Sequence, residues 1–210
     1  MRTFPAFILN LLLLVVFTNA QANAQAAREI VKDTASKVID RLNADRDMLE
    51  ANPDRIYSLV NELIIPHFDF VSMSKWVLGK KNWRGSTEIQ QRQFVNEFRT
   101  LLVRTYAKAL LEYSRQEIVY LPVEENPEST IVVVKTLIEQ PGSKSVPIDY
   151  SMHASGGDWK VIDVAVDGIS LVATYRGSFA AEIRKNGMEA LINKLSERNS
   201  QATTHTASSI

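Results

Sequence analysis

DWKVIDVAVDGISLVATYRGSF, residues Asp158–Phe179, is the stretch whose reading decides the fold. It begins as a strand carrying Trp159, Val161, Val164, Ala165 and Val166, turns at Asp167 and Gly168, and reads as a helix from Ser170. A strand with apolar residues on both faces needs cover above and below. The rest of the chain must supply that cover, or enclose a cavity that something else fills.

Three further period-two runs precede this strand: Glu117–Leu121, Thr130–Glu139 and Val146–His153. Their connectors are short and hold Pro122 and Pro127, the Pro141-Gly142 pair and the Gly156-Gly157 pair. Such connections make hairpins, so the four strands are expected to form an antiparallel meander. The run from Val146 alternates cleanly: Val146, Ile148, Tyr150 and Met152 share one face, and Asp149, Ser151 and His153 the other.

Helical periodicity flanks the strands on both sides. Val31, Ala35, Val38, Leu42 and Leu49 fall on one face of a helix over Arg28–Leu49. Asn52-Pro53 then starts another helix with stripe Ile56, Leu59, Val60 and Leu63, which Pro66 is expected to end by pushing Ile65 out of the helical region. A short helix over Asp69–Leu78 should stop at Gly79, leaving Lys80, Lys81 and Arg84 around Trp83 in a loop. Those basic residues suit an acidic partner or a headgroup layer, although a solvated turn with Trp83 tucked into the core explains them more simply.

Thr87 with Gln90 is a capping box opening the longest periodic segment, Glu88 to about Ser114. Phe94, Phe98, Leu101, Leu102, Thr105, Ala109 and Tyr113 form its stripe, with Tyr106 and Leu110 at the border. A helix of that length can floor the sheet. Beyond the decisive stretch, helices are expected over Ser170–Arg184 and Met188–Leu195. The plan is α+β: N-terminal helices, a four-stranded antiparallel meander and C-terminal helices, with an apolar cavity between sheet and helices.

Composition narrows the function. The 210 residues hold 24 basic and 24 acidic side chains, so no overall charge favours nucleic acid. Cysteine is absent, which excludes disulfides, thiolate nucleophiles and thiolate metal sites. Arg2, the apolar run Phe7–Phe17 and the small residues Thr18–Ala27 have the order of a secretory signal peptide over residues 1–24, cleaved after Ala24 or alternatively after Ala20 or Ala26. The rival reading, a membrane anchor, needs about 20 apolar residues, more than this run offers. A single domain over 25–198 and a disordered polar tail over 199–210 complete the expected organisation.

Motifs for catalysis are lacking. His67, His153 and His205 have no metal-ligand spacing, and no HExxH, GxGxxG, Walker or GxSxG motif occurs. Asp163 or Asp149, if enclosed by the sheet, could serve as a general base in a cone-shaped pocket of the ketosteroid-isomerase kind. Bonds to backbone or to Arg176 explain the same carboxylates structurally, and that reading is preferred.

The pattern D-W-K-V-x-D-V-x-x-x-G-I-S-L-V-x-x-Y-R-x-x-F resembles the MlaC, or toluene-tolerance, family of periplasmic phospholipid carriers. Asn52-Pro53, Val77-Leu78-Gly79, Gln91-Arg92 before Phe94 and Phe98, and Thr105-Tyr106-Ala107 with Tyr113 agree with it. The resemblance covers about Ala27 to Leu195. It implies a soluble monomeric shuttle in the periplasm of a Gram-negative envelope, maintaining outer-membrane lipid asymmetry. It further implies exchange of a glycerophospholipid with an outer-membrane lipoprotein complex and with an inner-membrane ABC transporter bearing an MCE ring. No cofactor, metal or catalytic residue is implied beyond the bound phospholipid, and no nucleic-acid partner. The residues expected to line the lipid cavity are Phe98, Leu102, Tyr106 and Leu110 on the long helix, Ile148, Tyr150 and Met152 on the sheet, and Ile169 with Val172 beyond the corner. Another exported hydrophobic-solute carrier or a chaperone is the competing reading.

Overall fold

Helix α1 is longer than its apolar stripe suggests. In the computed structural model, which describes residues 16–113, 116–123, 129–139, 142 and 144–207, it spans Val16–Ala44 and buries Ala27, Val31, Val38 and Leu42. The point proposed for cleavage after Ala24 lies inside α1, and residues 1–15 of the proposed signal peptide lie outside the described residues. Asp45 leaves helical geometry, so Leu49 belongs to a separate helix, α2 (Arg46–Ala51). Asn52 caps the next segment as expected, its side chain accepting from the Asp54 backbone at 3.2 Å. That segment is a chain of short turns: 3-10 over Pro53–Arg55, α3 over Ile56–Leu59, π over Val60–Ile64 and 3-10 over Ile65–His67.

Pro66 does not act as expected. Ile65 keeps helical angles (φ −55°, ψ −37°), and the chain leaves helix only at Phe68 (φ −106°, ψ 141°). Early in a new 3-10 turn the missing N–H costs nothing, and this offsets the crowding on the preceding residue. Asp69 caps α4 (Phe70–Gly85), accepting from the Ser72 backbone at 2.9 Å. Gly79 interrupts α4 with a φ of 73°, a conformation that a Cβ disfavours. Lys80–Gly85 is a further helical turn rather than a loop, and Trp83 packs on the helical core with Lys75 5.7 Å above its ring.

The capping box at Thr87 and Gln90 is formed in both directions, at 3.2 and 3.1 Å. It opens α5 (Glu88–Tyr106), 19 residues and about 28 Å long, after which Ala107–Tyr113 tightens to 3-10. The helix does not floor the sheet. Phe94, Phe98, Leu101 and Leu102 pack with Met73 and Val77 of α4 and with Val172, Phe179, Leu191 and Leu195 of the last helix.

The sheet has five strands rather than four, in the order β1 (Glu117–Tyr120), β2 (Ile131–Glu139), β3 (Val146–Ser155), β4 (Asp158–Val166) and β5 (Ile169–Ser170), all antiparallel. Asp167 and Gly168, at φ 50° and 79°, make the tight turn that folds two more residues back on Val166 and Ala165. Period-two patterning is silent on so short a strand. A bulge sits between Ser151 and Met152, where the register steps from Asp163 to Val161. Ile162 is the extra residue, which is how Val161 and Ile162 are both buried.

Helix α6 (Leu171–Ala207) joins the two predicted C-terminal helices across a kink at Gly187 (φ 88°). It also corrects the expected tail: residues 199–207 continue the helix, and Asn199 is buried with Nδ2 donating to the Glu97 carbonyl at 3.0 Å. Polar composition was misleading there because Asn199 finds a backbone acceptor on α5. Residues 208–210 lie outside the described residues.

Candidate functional site

Strand register sorts the sheet into two unlike faces. On one lie Tyr120, Val132, Val134, Thr136, Ile138, Ile148, Tyr150, Met152, Trp159, Val161, Val164 and Val166. The other carries Lys135, Asp149, Ser151, His153 and Lys160 among its apolar residues. The first face is the one covered by α1, through Ala27, Ile30 and Val31. Cover is complete over Val134, Met152, Val161 and Val164 but partial over Tyr120, Val132, Ile148, Tyr150, Trp159 and Val166. An apolar face half-covered by its own chain can take further apolar contact.

One hydroxyl and two phenols lie on this face. Thr136 Oγ1 donates to the Ile148 carbonyl at 3.0 Å and also meets the Tyr150 side chain. Burial, with Tyr120 adding to it, pushes the Tyr150 hydroxyl up to about 12. Burial raises Tyr120 as well, against the opposing effect of Arg28. Both phenols therefore stay neutral and act as hydrogen-bonding groups at ordinary pH. Arg28 on α1 sits at the β1 edge, with its guanidinium 5.8 Å from the Tyr120 ring centre and Nη2 donating to the Tyr120 carbonyl at 3.3 Å. Neither Arg28 nor Tyr120 stood out in the sequence, because nothing in their spacing reveals that helix and strand meet.

The nine predicted lining residues do not form one wall. Phe98, Leu102 and Val172 lie in the helical core, where Phe98 is fully buried and packs at 5.6–5.8 Å on Phe94, Tyr175 and Phe179. Leu110 joins a second helical cluster around Ile56, Leu59 and Leu49. Tyr106 is at the surface, bonded to Tyr175, and burial of its hydroxyl is what raises it to about 12. Ile169 is 65% exposed on β5. Only Ile148, Tyr150 and Met152 share the half-covered face.

Two open recesses of about 400 and 380 Å³ lie elsewhere. Phe68, Phe70, Val71 and Lys160 line the first, Tyr57, Asn61 and Thr100 the second, and Asn96 and Arg99 both. None of the nine residues borders either, so neither is the cavity expected between sheet and helices. Asp163 has structural work: it accepts from the Ser170 hydroxyl and from the Val172 backbone at 3.1 Å, fixing the start of α6. Asp149 lies on the polar face, across from Lys135 and Ala165. Among the described residues no three acidic or histidine side chains gather as a metal site, and no helix is long and apolar enough to cross a membrane.

Fold and face together define an α+β protein with a partly covered apolar sheet face. Residues 32–197 match the profile described as MlaC protein, and the chain belongs to that family. It is 29% identical over 177 residues to a toluene tolerance protein of Pseudomonas putida, covering 84% of this chain and 82% of that one. It is 24% identical over 176 residues to the intermembrane phospholipid transport system binding protein MlaC of Haemophilus influenzae, covering 82% and 81%. A solved phospholipid-binding protein from Ralstonia solanacearum, in complex with a phospholipid, superposes with a TM-score of 0.76 at 32% identity, over 84% of this chain and 98% of that chain.

Proposed function

We propose that this chain is a periplasmic carrier of glycerophospholipid. The domain over 25–198 holds acyl chains against the half-covered sheet face around Ile148, Tyr150 and Met152. It shuttles the lipid between an outer-membrane lipoprotein complex and an inner-membrane ABC transporter with an MCE ring, and so maintains outer-membrane lipid asymmetry. Export through a cleaved signal peptide over 1–24 and a monomeric carrier belong to the same reading. The observation that carries it is the likeness, at 32% identity and over 98% of that other chain, to a protein solved with phospholipid bound. The apolar sheet face gives that likeness a physical basis in this chain.

At about 0.8 kcal/mol per buried CH₂, two acyl chains cost on the order of 20 kcal/mol to expose to water. A carrier must therefore replace nearly all of the bilayer's apolar contact. Because bilayer and protein solvate the chains alike, transfer is near thermoneutral, and direction comes from relative affinities or from ATP use by the transporter. No bond in the lipid is made or broken, so the carrier needs no catalytic group. The test is lipid extraction and native mass spectrometry of protein purified from its own cells. Stoichiometric phospholipid is the expected result, and protein that leaves the cell with no lipid defeats the proposal.

A further inference from the structure

We propose that Arg28 and Tyr120 form a phosphate-binding site at the edge of the apolar sheet face, which takes the phosphate of a seated lipid. This rests on the carrier reading and assigns to two residues the preference of that site for diacyl lipids bearing phosphate over diacyl lipids without it.

The argument starts from an orphan donor. Arg28 follows Ala27, which is fully buried against the sheet, so the root of its side chain is anchored there. Its Nη2 donates to the Tyr120 carbonyl at 3.3 Å, and Nη1 lies 3.6 Å from a carboxylate oxygen of Glu29. Its Nε is buried with no hydrogen-bond partner. A buried N–H left unpaired forfeits the bond it had with water, and an acceptor brought from outside restores it. Beside it, Tyr120 is half-buried with its hydroxyl near that of Tyr150, which itself meets Thr136.

Guanidinium Nε–H and phenol O–H are both donors toward an acceptor-only anion, and a phosphodiester presents two such oxygens. Position agrees with chemistry. Tyr120 lies on β1, opposite Thr136 of β2 and beyond the Ile148 and Tyr150 pair of β3. Acyl chains over β3 thus leave the glycerol and phosphate at the β1 edge, where the cation stands. Glu29 is the opposing charge; at 3.6 Å it makes no close hydrogen bond and leaves the guanidinium able to favour a second anion. Nothing in this donor pair reads what is esterified beyond the phosphate, so preference among headgroups stays loose.

The experiment loads delipidated protein with dioleoyl phosphatidylglycerol, with dioleoylglycerol of the same acyl chains, or with inorganic phosphate alone. Binding is read by native mass spectrometry and by the ¹⁵Nε–H signal of Arg28. Wild type should prefer the phospholipid at least tenfold over dioleoylglycerol, and only the phospholipid should shift the Nε signal. Arg28→Met should erase the preference while dioleoylglycerol binding holds, Arg28→Lys should keep part of it, and Tyr120→Phe should weaken it about threefold. Equal binding of the two lipids by wild type, or a preference that survives Arg28→Met, overturns the site and leaves the carrier reading standing. Binding of neither lipid overturns the carrier reading, and the phosphate titration then decides the site: a shift abolished by Arg28→Met assigns it to free phosphate, and no shift removes it. Should Arg28→Met fail to fold, the wild-type Nε signal with the two lipids decides between the same outcomes.

Discussion

The helical core and the covered sheet face are built from similar residues and end in different states. Between α4, α5 and α6, Phe94 and Phe98 are fully buried, and Tyr175 and Phe179 complete an aromatic cluster with ring centres 5.4–5.8 Å apart. Across the sheet, Val134 and Met152 are buried to the same degree, yet Val132, Ile148, Tyr150 and Val166 beside them are only half-covered. One region satisfies its apolar surface with its own chain. The other stops short, and it is there that the carrier proposal seats its lipid. Apolar content thus locates burial but does not say how complete it is.

That comparison can be broken by substitution. The largest effect is expected at Phe98: Phe98→Ala should destabilise the lipid-free protein by about 3–5 kcal/mol, measured by denaturant unfolding, because it empties a packed aromatic site. Ile148→Ala should cost less than about 2 kcal/mol in the lipid-free protein and lower lipid affinity instead, since its side chain is only partly buried. Equal costs at the two positions would mean that the two regions do not differ. Lipid removal sharpens the contrast further: hydrogen exchange should rise in β2, β3 and the Ala27–Val31 part of α1, and stay unchanged in α5.

Smaller effects mark the seams. Asp69 caps α4 and joins it to the sheet through His153 Nε2 at 2.9 Å. Burial alone would raise this carboxyl, but bonds from the Ser72 backbone, the Ser72 hydroxyl and His153 outweigh it and hold it below the usual value. A depressed carboxylate contributes stability that is whole above its unfolded value, about 4, and is lost as pH falls through the lower folded value. Asp69→Asn should therefore lower stability at neutral pH, where the contribution is whole, and flatten the acid limb of the profile below about pH 4. Least of all, Thr87→Ala should cost about 1 kcal/mol by opening the capping box, with lipid content untouched.

The order of helices and strands was legible in the residues because each signal is local. Period two marked β1 to β4 to within two residues or so, and Thr87 with Gln90 marked the start of α5. Partnership was not legible. The stripe Phe94, Phe98 and Leu102 says that one face of α5 is buried, but not that α4 and α6, rather than the sheet, bury it. Hence Phe98, Leu102 and Val172 were expected at a ligand and stand in a solid core. β5 escaped because two residues carry no period, and Arg28 because its meaning depends on a contact 92 positions away.

The central claim is that the half-covered sheet face seats the lipid while the helical core does not. Native mass spectrometry of Tyr150→Glu, purified alongside wild type and checked for folding by circular dichroism, tests it most directly. A charge on this apolar face bars the acyl chains, and circular dichroism separates loss of lipid from loss of fold. The account predicts a folded variant that carries no phospholipid, beside wild type carrying one lipid per chain. A folded variant that co-purifies lipid at the wild-type level contradicts it.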